Sequence, residues 1–301
     1  MRDLDPAQLR AFAVTVAEGT LDAAATALRV TPSAISQRLK ALETATGAVL
    51  LVRSKPVRVT EAGQVVLRLA RQLDLLYTDA ARSLDRDGAI RSLPLAINAD
   101  SLATWALPAL AALADRYTFD IHREDESHPA MLRAGSVMAA ITSLSQPVPG
   151  CRVSALGGMR YRPMATPEFA ARYFAGGVTA ATLRRAPVVQ YDREDLLQND
   201  YLRRHRVRPD EPPLHYVPSS ADYLRAVAHG FGWGMLPDQQ LPHLPTEDAV
   251  IDLDRRGARV VWLFWQQWQL ESTALQEVTA AVTTAARAAL SPYPRRGTDP
   301  S

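Results

Sequence analysis

Side chains on one face of a predicted helix are of the types that read DNA bases. In the segment 31–46, Ile35, Leu39 and Leu42 form one apolar stripe at 100° per residue. Four polar or basic residues occupy the opposite face, and Ser36 stands beside it; the four are Ser33, Gln37, Lys40 and Thr44. Gln pairs bidentately with adenine and Lys with guanine, whereas Ser suits bases or phosphates. The face predicts contact with double-stranded DNA, with Gln37 and Lys40 as the main base readers.

A second group of residues suits the phosphate backbone. Thr31 and Pro32 stand at the start of the same helix, where backbone N–H groups are free to meet a phosphate. The basic residues of the following segment suit phosphates or the minor groove; they are Arg53, Lys55 and Arg58. Residues 29–58 hold six Arg or Lys against one acid, a net charge of +5, whereas the whole chain carries +2. The basic charge is concentrated where phosphate binding needs it.

Three predicted helices and a hairpin position these residues. Asp5 and Pro6 start the first helix, which Gly19 ends, and an Ala-rich second helix covers about 20–30. Thr31 caps the third helix, which Gly47 ends. Residues 49–63, VLLVRSKPVRVTEAG, form two short β-rich runs that predict a hairpin, or wing. Residues 1–60 are therefore predicted to form a mainly α, winged helix-turn-helix domain.

A long linker helix is predicted over 61–88. Its apolar residues recur in steps of four and three, as at the a and d positions of a coiled coil; they are Ala62, Val66, Leu69, Leu73, Leu76 and Ala80. We interpret this seam as a dimerisation surface, because the helix stands between two units of the chain. The alternative is that the seam packs only on its own domain.

From residue 89 to about residue 292 the pattern is that of an α/β domain. Short apolar runs alternate with helical stretches, which predicts a parallel sheet. The predicted strands lie near 93–97, 119–122, 137–141, 187–190, 214–217, 233–236 and 260–265, with a helix from about 98 to Tyr117. We divide the domain into lobe one, 89–160 plus 266–292, and lobe two, 161–265. The tail 293–301 is predicted to be disordered.

Polar residues follow three of these strands at the points where helices begin. Such junctions face a cleft at the carboxyl ends of the strands. The predicted ligand-binding residues are Asp100, Ser101, Thr142, Ser143, Ser219, Ser220 and Asp222, with Trp105 as an apolar or cation–π wall. Hydroxyls and helix N–H groups suit a carboxylate, and the acids suit a cation. The competing interpretation is that Asp100, Ser101 and Ser220 are plain helix caps, and that the acidic run 124–126 is a solvated loop.

The sequence holds little that suggests catalysis or a metal. Its six His lack metal-ligand spacing, and there is no glycine-rich phosphate loop. Cys151 is the only cysteine, which excludes an intrachain disulfide and fits a reducing cytosol. The first residues lack the apolar core of a signal peptide. We expect a cytoplasmic protein that is not an enzyme and uses no metal or cofactor.

Over essentially its whole length the chain resembles the LysR-type transcriptional regulators, and more closely their ArgP/LysG branch, the regulators of basic amino-acid export. The resemblance is carried by TLDAAATALRVTPSAISQRLK, INADSLATWALPAL, HYVPSSADYLRAVAHGFGWGMLP and LFWQQWQLES. It implies a two-lobed domain like the periplasmic solute-binding proteins and an effector that is lysine or arginine. It also implies homodimers or homotetramers, contact with RNA polymerase, and activation of amino-acid export or metabolism genes.

The recognition helix departs from the family pattern at two positions. Many members read Ser-Gln-Pro-Ala-x-Ser-Arg-Gln, whereas here Pro32 stands one residue earlier and Gln37 takes the place of a common Arg. The alternative function, also associated with this branch, is an architectural or replication-origin DNA-binding protein without ligand control.

Overall fold

The N-terminal domain is a winged helix-turn-helix, as the sequence predicts. The structure, a computed structural model, describes residues 4–52, 54–84, 91–124, 129–193, 195–244 and 249–294. Its first helices are α1 (Pro6–Glu18), α2 (Leu21–Ala27) and α3 (Pro32–Thr46). The wing is an antiparallel pair of short strands, β1 (Leu51–Val52) and β2 (Arg58–Val59).

Local capping explains where these helices begin and end. Asp5 accepts hydrogen bonds from the backbone of Ala7 at 2.7 Å and of Gln8 at 3.2 Å, and Pro6 follows it. Gly19 and Gly47 end α1 and α3 at φ of 74° and 70°, in the left-handed region that favours glycine. The caps therefore set the bounds of α1 and the end of α3.

The linker helix α4 (Glu61–Leu84) packs part of its predicted seam against its own domain, and the dimerisation role of the rest stays a prediction. Val66 is buried in the core of the N-terminal domain, and Leu69 and Leu73 pack against that core. Three of the six seam residues therefore cover their own domain, where α1 also contacts α4. Of the other three, Ala62 is exposed and Leu76 is 41% exposed, and the side chain of Ala80 lies outside the described residues.

The C-terminal domain alternates strands and helices. Its strands are β3 (Arg91–Ile97), β4 (Tyr117–Arg123), β5 (Ala139–Thr142), β6 (Cys151–Ala165), β7 (Val188–Gln190), β8 (Leu214–Tyr216), β9 (Gly234–Pro237), β10 (Ile251–Asp252) and β11 (Arg259–Trp268). Its helices are α5 (Ala99–Ser101), α6 (Leu107–Ala111), α7 (Ala130–Arg133), α8 (Pro167–Phe174), α9 (Ala180–Arg185), α10 (Leu196–Arg204), α11 (Ser220–Ala228) and α12 (Thr273–Ala289). A π-helical turn joins α5 to α6, and a 3-10 turn, Asp238–His243, follows β9.

The sheet is mixed, which corrects the expectation of a parallel sheet. In lobe one β3 pairs in parallel with β4 and β5, and in lobe two β7 pairs in parallel with β8. The long strands β6 and β11 are antiparallel to each other. β11 also pairs with β5, and β6 with β9 and β10, so this pair extends through both lobes. The boundaries that we set at 160/161 and 265/266 fall within these two strands.

Two further expectations are corrected by the strand positions. The helix that follows β3 ends at Ala111, not near Tyr117, because Tyr117 begins β4 with its side chain buried in the core. Strand β6 was not predicted at all.

None of the described helices is long and apolar enough to cross a membrane. Of the predicted disordered tail, 295–301 lies outside the described residues.

Candidate nucleic-acid interface and ligand cleft

The outer face of α3 presents the predicted DNA-reading residues together. The stripe Ile35, Leu39 and Leu42 is buried, which turns the opposite face outward. The exposed residues on or beside that face are Thr31, Pro32, Ser33, Gln37 and Lys40, with Ser36 half-buried. Thr31 also caps α3, accepting a hydrogen bond from the backbone N–H of Ala34 at 3.2 Å. The predicted cap is confirmed, and the exposed position of Thr31 is compatible with the predicted phosphate contact.

The wing adds exposed basic residues to this surface. Lys55 and Arg58 are exposed, whereas Arg53 lies outside the described residues. The one acid of 29–58 is Glu43, whose carboxylate accepts hydrogen bonds from the backbone N–H groups of Leu50 at 2.8 Å and Leu51 at 3.5 Å. That carboxylate is used to hold the wing against α3. The positive charge of the region is thereby left for phosphates.

In the C-terminal domain, Asp100 joins residues from distant parts of the chain. Its Oδ2 accepts a hydrogen bond from Tyr161 Oη at 2.7 Å. Its Oδ1 accepts hydrogen bonds from Ser220 Oγ at 2.6 Å and from Gln240 Nε2 at 3.2 Å. Ser220 begins α11 and Gln240 lies in the 3-10 turn after β9, so strand ends of both lobes meet here. The predicted Asp100 and Ser220 are in direct contact.

Several buried polar atoms around this point have no hydrogen-bond partner within the described part of the chain. They are Asn98 Oδ1, Ser101 Oγ, Tyr191 Oη and Gln240 Oε1. Ser101 is completely buried, and Asn98 and Gln240 are 4% and 3% exposed. Buried polar groups are normally hydrogen-bonded, so a concentration of unpaired atoms beside a buried carboxyl is typical of a ligand site.

The other predicted cleft residues are placed differently. Thr142 is buried, and its hydroxyl bonds within its own lobe, to Gln266 at 3.1 Å and to the carbonyl of Leu144 at 3.3 Å. Ser143 is half-buried beside it. Trp105 is buried in the main hydrophobic core of the C-terminal domain, with no partner for its Nε1 among the described residues.

The last two predicted cleft residues serve α11. Ser219 caps that helix, accepting a hydrogen bond from the backbone of Asp222 at 3.5 Å. Asp222 is exposed and forms an ion pair with Arg225 at 3.6 Å, so its carboxylate is used on the surface of α11. Of the acidic run 124–126, Glu124 accepts a hydrogen bond from the backbone of Met131 at 2.8 Å, and the other two residues lie outside the described ranges.

Five residues border the cleft that were not predicted from the sequence; they are Arg123, Tyr161, Tyr191, Asp195 and Gln240. Arg123 ends β4 and donates to the carbonyl of Pro218 at 3.4 Å, while its guanidinium lies 5.6 Å from the centre of the Tyr191 ring. Tyr191 and Gln240 follow β7 and β9, so the strand-end rule could have identified them. Nothing in the local pattern distinguishes Tyr161, which lies within β6.

The electrostatics of the cleft favour a cation. Burial raises the pKa of Asp100 even though three neutral side chains donate to its carboxyl. Burial also raises the pKa of Asp195 to about 6, and the nearby charges of Asp100 and Asp192 add to that rise. Among the residues that the structure describes, no cluster of His, Cys, Asp and Glu could hold a metal ion. The three donors to Asp100 are neutral, so a cationic ligand would add a positive charge that they do not supply.

Comparison with known proteins identifies both domains. Residues 6–64 match the bacterial regulatory helix-turn-helix protein, lysR family, and residues 86–287 match the LysR substrate binding domain. The chain belongs to the LysR family. As a member of this family it is a DNA-binding transcriptional regulator whose second domain is a ligand-binding domain.

LysR-family relatives match it over nearly their full length. The HTH-type transcriptional regulator LysG of Mycobacterium tuberculosis is 41% identical over 292 residues, which cover 94% of each chain. The crystal structure of ArgP from Mycobacterium tuberculosis has a TM-score of 0.88 at 39% identity, covering 97% of this chain and all of that one. Full-length LysG from Corynebacterium glutamicum with bound effector Arg has a TM-score of 0.78 at 37% identity, covering 96% of this chain and all of that one.

Proposed function

We propose that this LysR-family regulator is switched by a basic amino acid, lysine or arginine, and controls genes of amino-acid export or metabolism. The observation that carries the proposal is Asp100, a carboxyl at the meeting point of the two lobes that receives three hydrogen bonds from neutral groups. A buried carboxylate without a cation is costly, and a guanidinium or ammonium group offsets that cost. The effector named for the Corynebacterium glutamicum relative, Arg, has this chemistry.

The rest of the cleft suits the other end of an amino acid. Ser101 has an unpaired buried hydroxyl one residue from Asp100, and Arg123 is a cation beside Tyr191. A carboxylate is recognised by hydroxyl and guanidinium donors of this kind. We assign the side-chain cation of the ligand to Asp100 and its α-carboxylate to the region of Ser101 and Arg123.

On DNA, the proposed mechanism uses more than one copy of the chain. A homodimer or homotetramer places several copies of α3 and the wing on successive operator sites. Ligand-driven closure of the cleft changes the angles between subunits and the bend of the DNA, which alters contact with RNA polymerase. We expect this to take place in the cytoplasm, without catalysis and without a metal or other cofactor.

A two-stage experiment tests the proposal. The twenty common amino acids are first screened by thermal shift, and lysine or arginine is expected to raise the melting temperature most. A duplex enriched from random DNA by the protein is then titrated with and without that ligand, beside a scrambled duplex. We expect preference for the enriched duplex and a change in its affinity on adding ligand. Equal affinity for both duplexes under all conditions would support the architectural alternative instead.

A further inference from the structure

The segment 143–150, which joins β5 to β6, lies between the cleft and the linker helix. At one end it follows Thr142, the last residue of β5. At the other end the carbonyl of Pro149 accepts a hydrogen bond from Arg68 Nη1 of α4 at 2.8 Å. Because β5 pairs in parallel with β3, its end lies at the same edge of the sheet as the start of the helix that holds Asp100. The segment therefore touches both this edge and the helix that carries the DNA-binding domain.

Gln266, in β11, holds this segment through one side-chain amide. Its Nε2 donates to Thr142 Oγ1 at 3.1 Å and to the carbonyls of Leu144 and Gln146 at 2.9 and 3.0 Å. Its Oε1 accepts from the backbone N–H of Val148 at 2.8 Å. The side chain is completely buried. A buried amide with this many partners cannot lose one of them without rearranging the others.

The linker helix is closely packed where it meets lobe one. Arg71 Nη1 donates to the carbonyl of Gly135 at 2.5 Å, and burial lowers the pKa of its guanidinium. Gly135 has φ +68°, and a Cβ there would lie 2.8 Å from the Cα of Arg68. Because the backbones approach this closely, α4 cannot stay in place if the neighbouring loops of lobe one move.

We infer that Gln266 is a positioning residue that couples the ligand cleft to the linker helix through the segment 143–150. The inference rests on the proposed function, since it needs a ligand that acts at the end of β5. A ligand that contacts Ser143 or displaces the Thr142 hydroxyl changes the bonds of Gln266. The carbonyl of Pro149 then moves relative to Arg68, and α4 with it. By linkage, DNA that reorients α4 changes ligand affinity by the same factor.

The test separates ligand binding from ligand response. Arginine affinity is measured by calorimetry, and the ligand-induced change in affinity for the enriched duplex by fluorescence anisotropy. In Arg68→Ala we expect arginine affinity within threefold of wild type and a ligand response reduced at least fivefold. Arg68→Lys, which keeps one donor, is expected to restore part of the response. The matched control is Arg152→Ala, an exposed arginine of β6 whose loss should leave both quantities unchanged.

Gln266→Leu tests the same connection from the core, with Gln267→Leu as its control. Gln267 is the next residue of β11, is 8% exposed and bonds to Trp265 and Thr279 instead of the segment 143–150. Both variants lose a buried amide, but only Gln266→Leu is expected to lose the ligand response. If Gln266→Leu does not fold, the Arg68 variants decide the question alone.

The outcomes are distinct. Wild-type ligand response in both Arg68→Ala and Gln266→Leu overturns the inference, as does an equal loss in Gln267→Leu or in Arg152→Ala. A wild-type protein that binds neither lysine nor arginine overturns the proposed function and the inference together. That failure is recognised from the wild-type titration before any variant is made.

Discussion

Gln37 and Lys55 are assigned to different parts of the DNA, and their substitutions separate the two roles. Gln37→Ala should lose discrimination of about 1–3 kcal/mol at one base pair, because a base-edge contact is removed. Lys55→Ala should weaken all sequences about equally and lower the slope of log affinity against log salt by about one. Anisotropy titrations over a salt series on matched and mismatched duplexes measure both effects. A Lys55→Ala variant that changed only base preference would contradict the phosphate assignment.

Asp195 gives a prediction about stability and pH. Burial raises its folded-state pKa from the ordinary value of 3.8 to about 6, so protonation stabilises the folded state. The charged form therefore costs stability, and the cost grows as pH rises from about 4 to about 6. Asp195→Asn should stabilise the protein by about 1 kcal/mol at pH 7.5, because it removes the buried charge while Asn still caps the helix. The effect should be smaller at pH 5, where Asp195 is largely protonated in the folded state. Denaturant unfolding at the two pH values measures the free energy of unfolding of both proteins. An equal effect at both pH values, or a larger one at pH 5, would show that burial of the charged carboxylate does not destabilise the fold.

The residues of the cleft were predictable only in part. Asp100, Ser101 and Ser220 follow strands in the sequence, and a general rule for parallel sheets finds them. Tyr161 and Gln240 contact Asp100 from 61 and 140 positions away. No local pattern contains that information, because it depends on how β6 and the turn after β9 cross the domain. Trp105 is buried in a core that is assembled from distant elements, and its role as a wall of the cleft stays a prediction.

Among the elements, α4 carries two kinds of apolar residue that substitutions should distinguish. Val66 is buried in the N-terminal domain, whereas Leu76 is 41% exposed on the same helix. Val66→Ala should lower the free energy of unfolding by about 2 kcal/mol. Leu76→Ala should cost the monomer less than about 0.5 kcal/mol but raise the dissociation constant of the dimer at least tenfold.

Denaturant unfolding and sedimentation velocity over a dilution series measure these two effects. Unchanged self-association in Leu76→Ala would remove α4 from the dimer interface. Loss of the dimer in Val66→Ala without loss of stability would place Val66 in the dimer interface and not in the core of its own domain.

Local sequence predicts some secondary-structure elements well and others poorly. Helix α3 has a Thr cap, a Pro at its first position, an apolar stripe and a terminal Gly, and its predicted bounds agree with the structure. Strand β6 has Gly157, Gly158 and Pro163 in its interior, together with Arg160 and Arg162. Glycine and proline are unfavourable inside a strand, and the two arginines interrupt its apolar pattern. Here β11 pairs along most of its length, so tertiary contact decides where local propensity does not.

At the scale of the whole molecule, the two domains are in direct contact as well as joined by sequence. Arg68 and Arg71 of the linker helix donate to carbonyls of lobe one, at Pro149 and Gly135. A movement of lobe one at the cleft can therefore reach the DNA-binding domain through these two hydrogen bonds to the linker helix. Family membership gives the general function, and the contacts of this chain indicate how its own parts would carry it out.

The central claim is that Asp100 recognises the cationic side chain of the ligand. The most direct test is calorimetric titration of wild type and Asp100→Asn with arginine and with citrulline, its neutral isostere. We predict that wild type binds arginine at least a hundredfold more tightly than citrulline, a difference of about 3 kcal/mol, and that Asp100→Asn brings arginine down to the citrulline level. Arginine and citrulline binding wild type within threefold of each other would contradict the account.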